Sequence, residues 1–129
     1  MVLVDTSVWI AHFRYGNARL KALLTDCKAL CHPFIIIIGE IACGNPRNRS
    51  EIVSLLQALP LARIAEDNEV LRFIDQHRLM GLGVGWVDMH LMASALLSRA
   101  MLWTEDKKLR TVADLLGVLY EPRNKLSTY

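Results

Sequence analysis

The sequence has little of what marks specialised classes of protein. Its cysteines are only three, Cys27, Cys31 and Cys43, an odd number with no repeated CxxC pair. That excludes a disulfide framework and fits reduced, partly buried thiols. A zinc site built from Cys27, Cys31 and His32 would need a second half-site downstream, and the sequence offers none. Neither sign of charge dominates, since 15 Lys and Arg against 13 Asp and Glu leave a net charge of +2. A polybasic binder that holds nucleic acid through bulk charge is thereby excluded. A nuclease, which needs only a local basic rim, is not. No basic segment leads into a long apolar stretch at the start, so no signal peptide is expected. The apolar run Phe34–Ile38 is too short to span a bilayer. We therefore expect no membrane partner and a cytoplasmic location. There is no internal repeat, low-complexity stretch or linker, and the 129 residues read as a single domain over 1–129. Hydrophobic residues make up 53% of the chain, enough for one core.

Short apolar runs alternate with helical segments. Val2–Asp5, Ala29–His32, Leu61–Ala65, Leu102–Thr104 and Val118–Tyr120 read as strands without polar alternation, the pattern of a parallel sheet buried on both faces. Between them the spacing predicts helices over Val8–Arg14, capped by Thr6 and Ser7, and after Asn17, with Leu20, Leu23 and Leu24 on one stripe. Further helices are predicted over Phe34–Cys43, Ser50–Leu59, Asp67 onward with Val70, Leu71 and Ile74 inward, Asp88–Ala100, and Lys107–Leu116 closed by Gly117. The expected class is α/β, a three-layer α/β/α sandwich around a central, mostly parallel sheet of about five short strands.

Four acids stand where an apolar segment ends or a helix begins: Asp5, Glu40, Asp88 and Asp106. No Lys or Arg adjoins Asp5, Glu40 or Asp88 in sequence. In open α/β sheets functional groups gather beyond the carboxyl ends of the strands, where Asp5 and Asp106 fall. Two carboxylates ~4 Å apart repel by roughly 4 kcal/mol at an effective dielectric of about 20. A cluster of this kind either stays partly protonated or binds a cation, and oxygen-only ligands favour Mg²⁺, with Mn²⁺ as a substitute, over zinc. Thr6, Ser7 and Thr104 supply hydroxyls to orient a carboxylate or a water. Lys107 and Lys108, opening a helix beside Asp106, suit a phosphate at the rim. For any one acid taken alone, a simple helix cap is an equally good reading. Asp67, in the polar stretch Asp67-Asn68-Glu69, reads only as a cap.

Four motifs resemble, in order and across essentially the whole chain, those of the PIN-domain family. They are Met1-Val2-Leu3-Val4-Asp5-Thr6-Ser7-Val8-Trp9, Gly39-Glu40-Ile41-Ala42-Cys43-Gly44, Gly85-Trp86-Val87-Asp88-Met89-His90-Leu91-Met92-Ala93-Ser94-Ala95, and Leu102-Trp103-Thr104-Glu105-Asp106-Lys107-Lys108-Leu109. The resemblance is closest to VapC toxins of bacterial type II toxin–antitoxin pairs. It implies a Mg²⁺-dependent endoribonuclease that hydrolyses RNA phosphodiesters with a metal-activated water, a VapB-type antitoxin that occludes the site, and a homodimer. It also implies roles: Asp5, Glu40, Asp88 and Asp106 as the acidic, metal-holding pocket, and Thr104 bonded within it. Glu105 adjoins Asp106. The resemblance favours Asp106 as the fourth acid, because it stands two residues after Thr104 as in that family. A PIN-domain RNA-processing nuclease that is not a toxin, and a PIN-like module that binds RNA or protein without cutting, are the competing readings. A phosphatase or phospho-acceptor would need a second acid close after Asp5, which Thr6-Ser7 does not supply.

The remaining signals carry less. Gly81-x-Gly83-x-Gly85 follows a helical segment and lacks dinucleotide or Walker spacing, so it reads as a flexible loop. His12, His32, His77 and His90 show no metal spacing and read as surface or satisfied core residues. Trp9, Trp86 and Trp103 sit in apolar runs and are expected in the core. The alternative is that exposed apolar helix faces near Trp9, Phe13 and Leu20 receive a partner helix or second subunit.

Overall fold

The computed structural model describes residues 1–32 and 49–122. The helix expected over Phe34–Cys43, with Glu40, and the break at Gly44-Asn45-Pro46 lie outside the described residues. Within them the chain runs β1 (Val2–Val4), α1 (Thr6–Tyr15), α2 (Ala18–Thr25), β2 (Ala29–Leu30), α3 (Arg49–Ala58), α4 (Asp67–His77), α5 (Trp86–Leu97), β3 (Met101–Trp103) and α6 (Lys107–Leu115).

The three strands are parallel in the order β2-β1-β3, with Val2 opposite Ala29 on one side and Val4 opposite Trp103 on the other. The two other expected strands come in as single parallel bridges, Cys31 with Leu61 and Leu102 with Leu119. They extend the sheet by one position at each edge. Numbered along the chain, the five positions lie in the order 3-2-1-4-5. The connections therefore leave in opposite directions on either side of the β1/β3 pair, and the topological switch point falls between those two strands. The right-handed rule for parallel crossovers assigns α1–α3 to one face and α4–α6 to the other.

The core is the sheet plus the inward faces of the helices: Leu3, Val4, Trp9, Leu20, Leu56, Leu91, Met92, Leu102 and Leu109 are all fully buried. α5 is the central helix of its face, packed against β3 and α4, with Met89 and the run Leu91–Ala95 buried. His32, at the end of the β2 segment, meets Ser94 of this helix at 3.1 Å (Nε2 to Oγ), so it is a satisfied core histidine.

Several boundaries differ from the sequence reading, each for a local reason. Asp5, not Thr6 or Ser7, caps α1, because its carboxylate accepts from the Thr6 N–H. Glu66, not Asp67, caps α4 through a reciprocal box with Glu69. On α4 the buried residues are Val70 and Phe73, while Leu71 is 52% exposed. The stripe turns toward α5, which this helix packs against. α5 begins at Trp86, two residues before Asp88. That puts Trp86 at an exposed helix start, 44% accessible, rather than in the core, whereas Trp9 and Trp103 are buried as expected. Trp9 and Leu20 are fully buried and Phe13 is half-buried and stacked on Trp9. The face offered there as an alternative site for a partner is part of the core.

Candidate active site

Parallel pairing of β1 with β3 in the register Val4–Trp103 puts the next residue of each strand, Asp5 and Thr104, side by side at the carboxyl edge. The Asp5 N–H donates to the Trp103 carbonyl at 2.9 Å. The Thr104 hydroxyl then donates to Asp5 Oδ2 at 2.7 Å, across 99 positions of sequence. Ser7 Oγ donates to the same oxygen at 3.0 Å, and the Thr6 N–H to Oδ1 at 2.8 Å. Asp5 and Thr104 are both buried.

The direction of these bonds is fixed by what lies behind the hydroxyls. Ser7 Oγ accepts the Glu105 N–H at 3.2 Å, and Thr104 Oγ1 accepts the Asp106 N–H at 3.1 Å. Each hydroxyl therefore has its lone pair engaged by a backbone N–H and its proton left for Asp5. Two N–H to O–H to carboxylate relays end on one oxygen, which fixes the orientation of the Asp5 side chain. Among the described residues the ion pairs are His90 with Asp67 and Arg110 with Glu121, so Asp5 is a buried carboxylate held by hydrogen bonds without a Lys or Arg partner.

Asp106 caps α6 through Oδ1 and the Leu109 N–H at 2.9 Å, and its side chain is exposed at the site edge. Lys107 and Lys108 follow it, both exposed. Arg110, one turn further on, donates to the Thr104 carbonyl at 3.3 Å and pairs with Glu121. It ties the Thr104 backbone to the segment after the last bridge. Sequence reasoning missed this residue, whose only signal was its place one turn after Asp106.

Asp88 lies in the first turn of α5, half-buried. The loop before it bends toward α6: Gly83 has φ +77°, and a Cβ there would stand 3.0 Å from the Lys108 Cδ and Nζ. The starts of α5 and α6 are thus neighbours, and α1 starts at Asp5 beside Thr104. Three helix amino-termini open toward one region, and their dipoles favour carboxylates and phosphates alike.

The structure thus brings together Asp5, Thr6, Ser7, Thr104 and Asp106, with Lys107 directly after Asp106; Asp88 stands in the first turn of α5, and Glu40 lies outside the described residues. Among those residues no three of His, Cys, Asp and Glu gather closely enough to hold a metal by themselves. The donors present are nonetheless all oxygens, which suits a hard divalent ion and not zinc. The zinc alternative has no geometry: Cys27 is exposed, Cys31 is buried with its thiol pushed up to about 12 by burial, and His32 is engaged by Ser94. His90 bonds Asp67 at 3.0 Å and stands edge-to-face with Trp86, so Asp67 is not a bare cap.

With this geometry in view, the comparisons with known proteins are informative. The family model described as PIN domain matches residues 2–115. Ribonuclease VapC32 from two strains of Mycobacterium tuberculosis is 44% identical over 119 residues, 92% of this chain and 94% of that protein. The crystal structure of PAE2754 from Pyrobaculum aerophilum superposes with a TM-score of 0.58, covering 90% of this chain and 88% of that one at 17% identity. That last likeness is one of fold alone.

Proposed function

From the premise that this chain belongs to the PIN-domain family, and within it to the VapC-type ribonucleases, we propose that it is an endoribonuclease, the toxin of a VapBC pair, with a VapB-type antitoxin as its partner. The observation that carries the reading to particular residues is the pair of relays ending on Asp5 Oδ2 from Ser7 and Thr104. A carboxylate oriented by two hydroxyls at a strand end, with no Lys or Arg partner among the described residues, is a fitting ligand for a metal cation.

Asp5, Asp88 and Asp106 are the proposed holders of Mg²⁺ (Mn²⁺ in its place), with Glu40 completing the set. When bound, such an ion supplies charge against the phosphodiester and acidifies a water for attack. The residues of the chain do the remaining work. Thr104 and Ser7 orient Asp5, Thr6 fixes its other oxygen, and Asp106 offers the oxygen not engaged by its cap. Lys107 holds an RNA phosphate at the rim. Asp88 is half-buried in the first turn of α5, where the helix dipole favours its carboxylate.

RNA cleavage with and without Mg²⁺, by the native chain and by Asp5→Asn and Asp88→Asn, tests this. We expect cleavage that EDTA abolishes and that each variant lowers by at least about 100-fold. Undiminished cleavage in both variants would remove the reading. A processing nuclease differs from a toxin in its biology: growth arrest on expression, relieved by a co-expressed partner protein, separates the two.

A further inference from the structure

Trp86 is the chain's exposed tryptophan, at 44% against 0% for Trp9 and 1% for Trp103. An indole that leaves the core normally finds a reason in packing, and here it finds a mount instead. His90, one turn along α5, meets its ring at a centroid distance of 4.8 Å and an interplanar angle of 87°. His90 is itself fixed by Asp67 of α4, Nε2 to Oδ1 at 3.0 Å. Two helices thus hold the ring in one orientation. A perpendicular contact covers at most one face of the indole, and at 44% exposure part of the ring is open to a flat ligand. The surroundings specify which flat ligand. Trp86 is two residues from Asp88, and the loop before it touches Lys108 at Gly83. Lys107 and Lys108 add positive charge to the helix amino-termini of that region.

We propose that Trp86, mounted by His90 and Asp67 at the start of α5, is a stacking platform for a base of single-stranded RNA whose phosphates lie along the Lys107–Lys108 rim. The inference rests on the ribonuclease reading for the choice of RNA. Met80, Leu82 and Val87 of the same segment are exposed as well, so a protein contact is the alternative that the test separates, and the adjoining lysines favour nucleic acid. A nucleic acid wants an aromatic face beside cations, and every base has such a face to offer, so the platform is tolerant of sequence.

The test is binding, kept apart from cleavage. A short 2′-O-methyl RNA, which resists hydrolysis, is titrated in EDTA while tryptophan emission and oligonucleotide anisotropy are followed. With Trp9 and Trp103 buried, quenching reports on Trp86. We expect RNA to quench the native chain, Trp86→Ala to weaken binding by about 5- to 100-fold, and Trp86→Phe to restore most of it. His90→Ala, which frees the ring without removing it, should give an intermediate loss. Circular dichroism melts of the variants identify any that fail to fold, and His90→Ala and Trp86→Phe keep the question open to refutation if Trp86→Ala is one. Unchanged affinity in folded Trp86→Ala overturns the proposal and leaves the ribonuclease reading standing. So does loss of self-association or of antitoxin binding with RNA affinity intact, because the ring would then serve a protein contact. Absence of cleavage by the native chain, with RNA bound through Trp86, would count against the nuclease reading alone.

Discussion

Asp5 is the end of two relays, and that makes it an awkward residue to replace. Both hydroxyls that serve Oδ2 already accept a backbone N–H. In Asp5→Asn, an amide group at the Oδ2 position would face two hydroxyl protons, and at the Oδ1 position it would face the Thr6 N–H. Either way a buried donor loses its acceptor, an effect of about 1–3 kcal/mol. Asp5→Asn is therefore expected to lose both stability and activity, and Asp88→Asn reports more directly on chemistry. Thr104→Val tests the relay itself. It keeps the shape, removes the hydroxyl, and strands the Asp106 N–H. Partners that orient a ligating carboxylate are worth about 10–100-fold in metal affinity or activity. A loss of that size in cleavage, with a smaller loss for Ser7→Ala, whose N–H partner is exposed, is the expected result. Equal activity of Thr104→Val and the native chain would show that the bond orients nothing. His12 makes a different kind of demand. Burial, and then the nearby Lys21 charge, lower its pKa, and its Nδ1 accepts the Asn17 N–H at 2.9 Å. The folded chain therefore takes up this proton less readily than the unfolded one, whose imidazole titrates near ~6.5. The stability it contributes is full above that pH and is lost as pH falls through the unfolded value toward the lower folded one. His12→Gln should shrink the drop in Tm between about pH 7.5 and about pH 5. A drop of the same size in the variant would refute the assignment.

Four helices end in the same way, and only one ending was legible in the sequence. After α2, α4, α5 and α6 a residue with positive φ is followed by one whose N–H reaches back: Lys28 to Leu23, Leu79 to Ile74, Ala100 to Ala95, Val118 to Ala113. The left-handed residue is Gly117 after α6, but Cys27, Arg78 and Arg99 after the others. Three of these stops, after α2, α5 and α6, lead directly into the segments at Ala29, Met101 and Leu119 that pair in the sheet. The strand's place in the sheet forces the turn, and a non-glycine residue tolerates it at roughly 1 kcal/mol. Arg99→Gly and Arg78→Gly should each therefore stabilise the fold by about 0.5–1 kcal/mol, a rise of a few degrees in Tm. A fall in Tm for both would mean that the arginine side chains contribute more than the backbone strain. Local pattern explains what was readable. Asn17 caps α2 with its own side chain as its position predicted, and Asp5 and Thr104 mark strand ends because apolar runs stop there. What was hidden depends on tertiary partners: that Phe73 and not Leu71 is buried, that Asp67 reaches His90, and that Trp86 is exposed at the start of α5.

The switch point explains why so short a chain can assemble its site from distant segments. At β1/β3 the connections diverge, which leaves a crevice at the carboxyl edge, and the residues just past each strand, Asp5 and Thr104 to Asp106, fill its rim. α5 packs on β3 and carries Asp88 in its first turn. An ion shared by these carboxylates would join β1, β3 and α5, three elements far apart in sequence and all anchored in one core. It would therefore resist unfolding of the whole domain and not of a local loop. Linkage sets the size: an ion at about 100 times its Kd adds about 2.7 kcal/mol. For a domain of this length that is a rise in Tm of several degrees or more. The native chain should show that rise with Mg²⁺ and lose it in EDTA, while Asp88→Asn should respond far less, because the unfolded chain has no preformed site. Calcium, larger and tolerant of looser geometry, is a useful comparison, since it can stabilise the fold without supporting cleavage. If Mg²⁺ moves the native chain and Asp88→Asn by the same amount, the ion binds elsewhere, and Asp88 has no part in holding it.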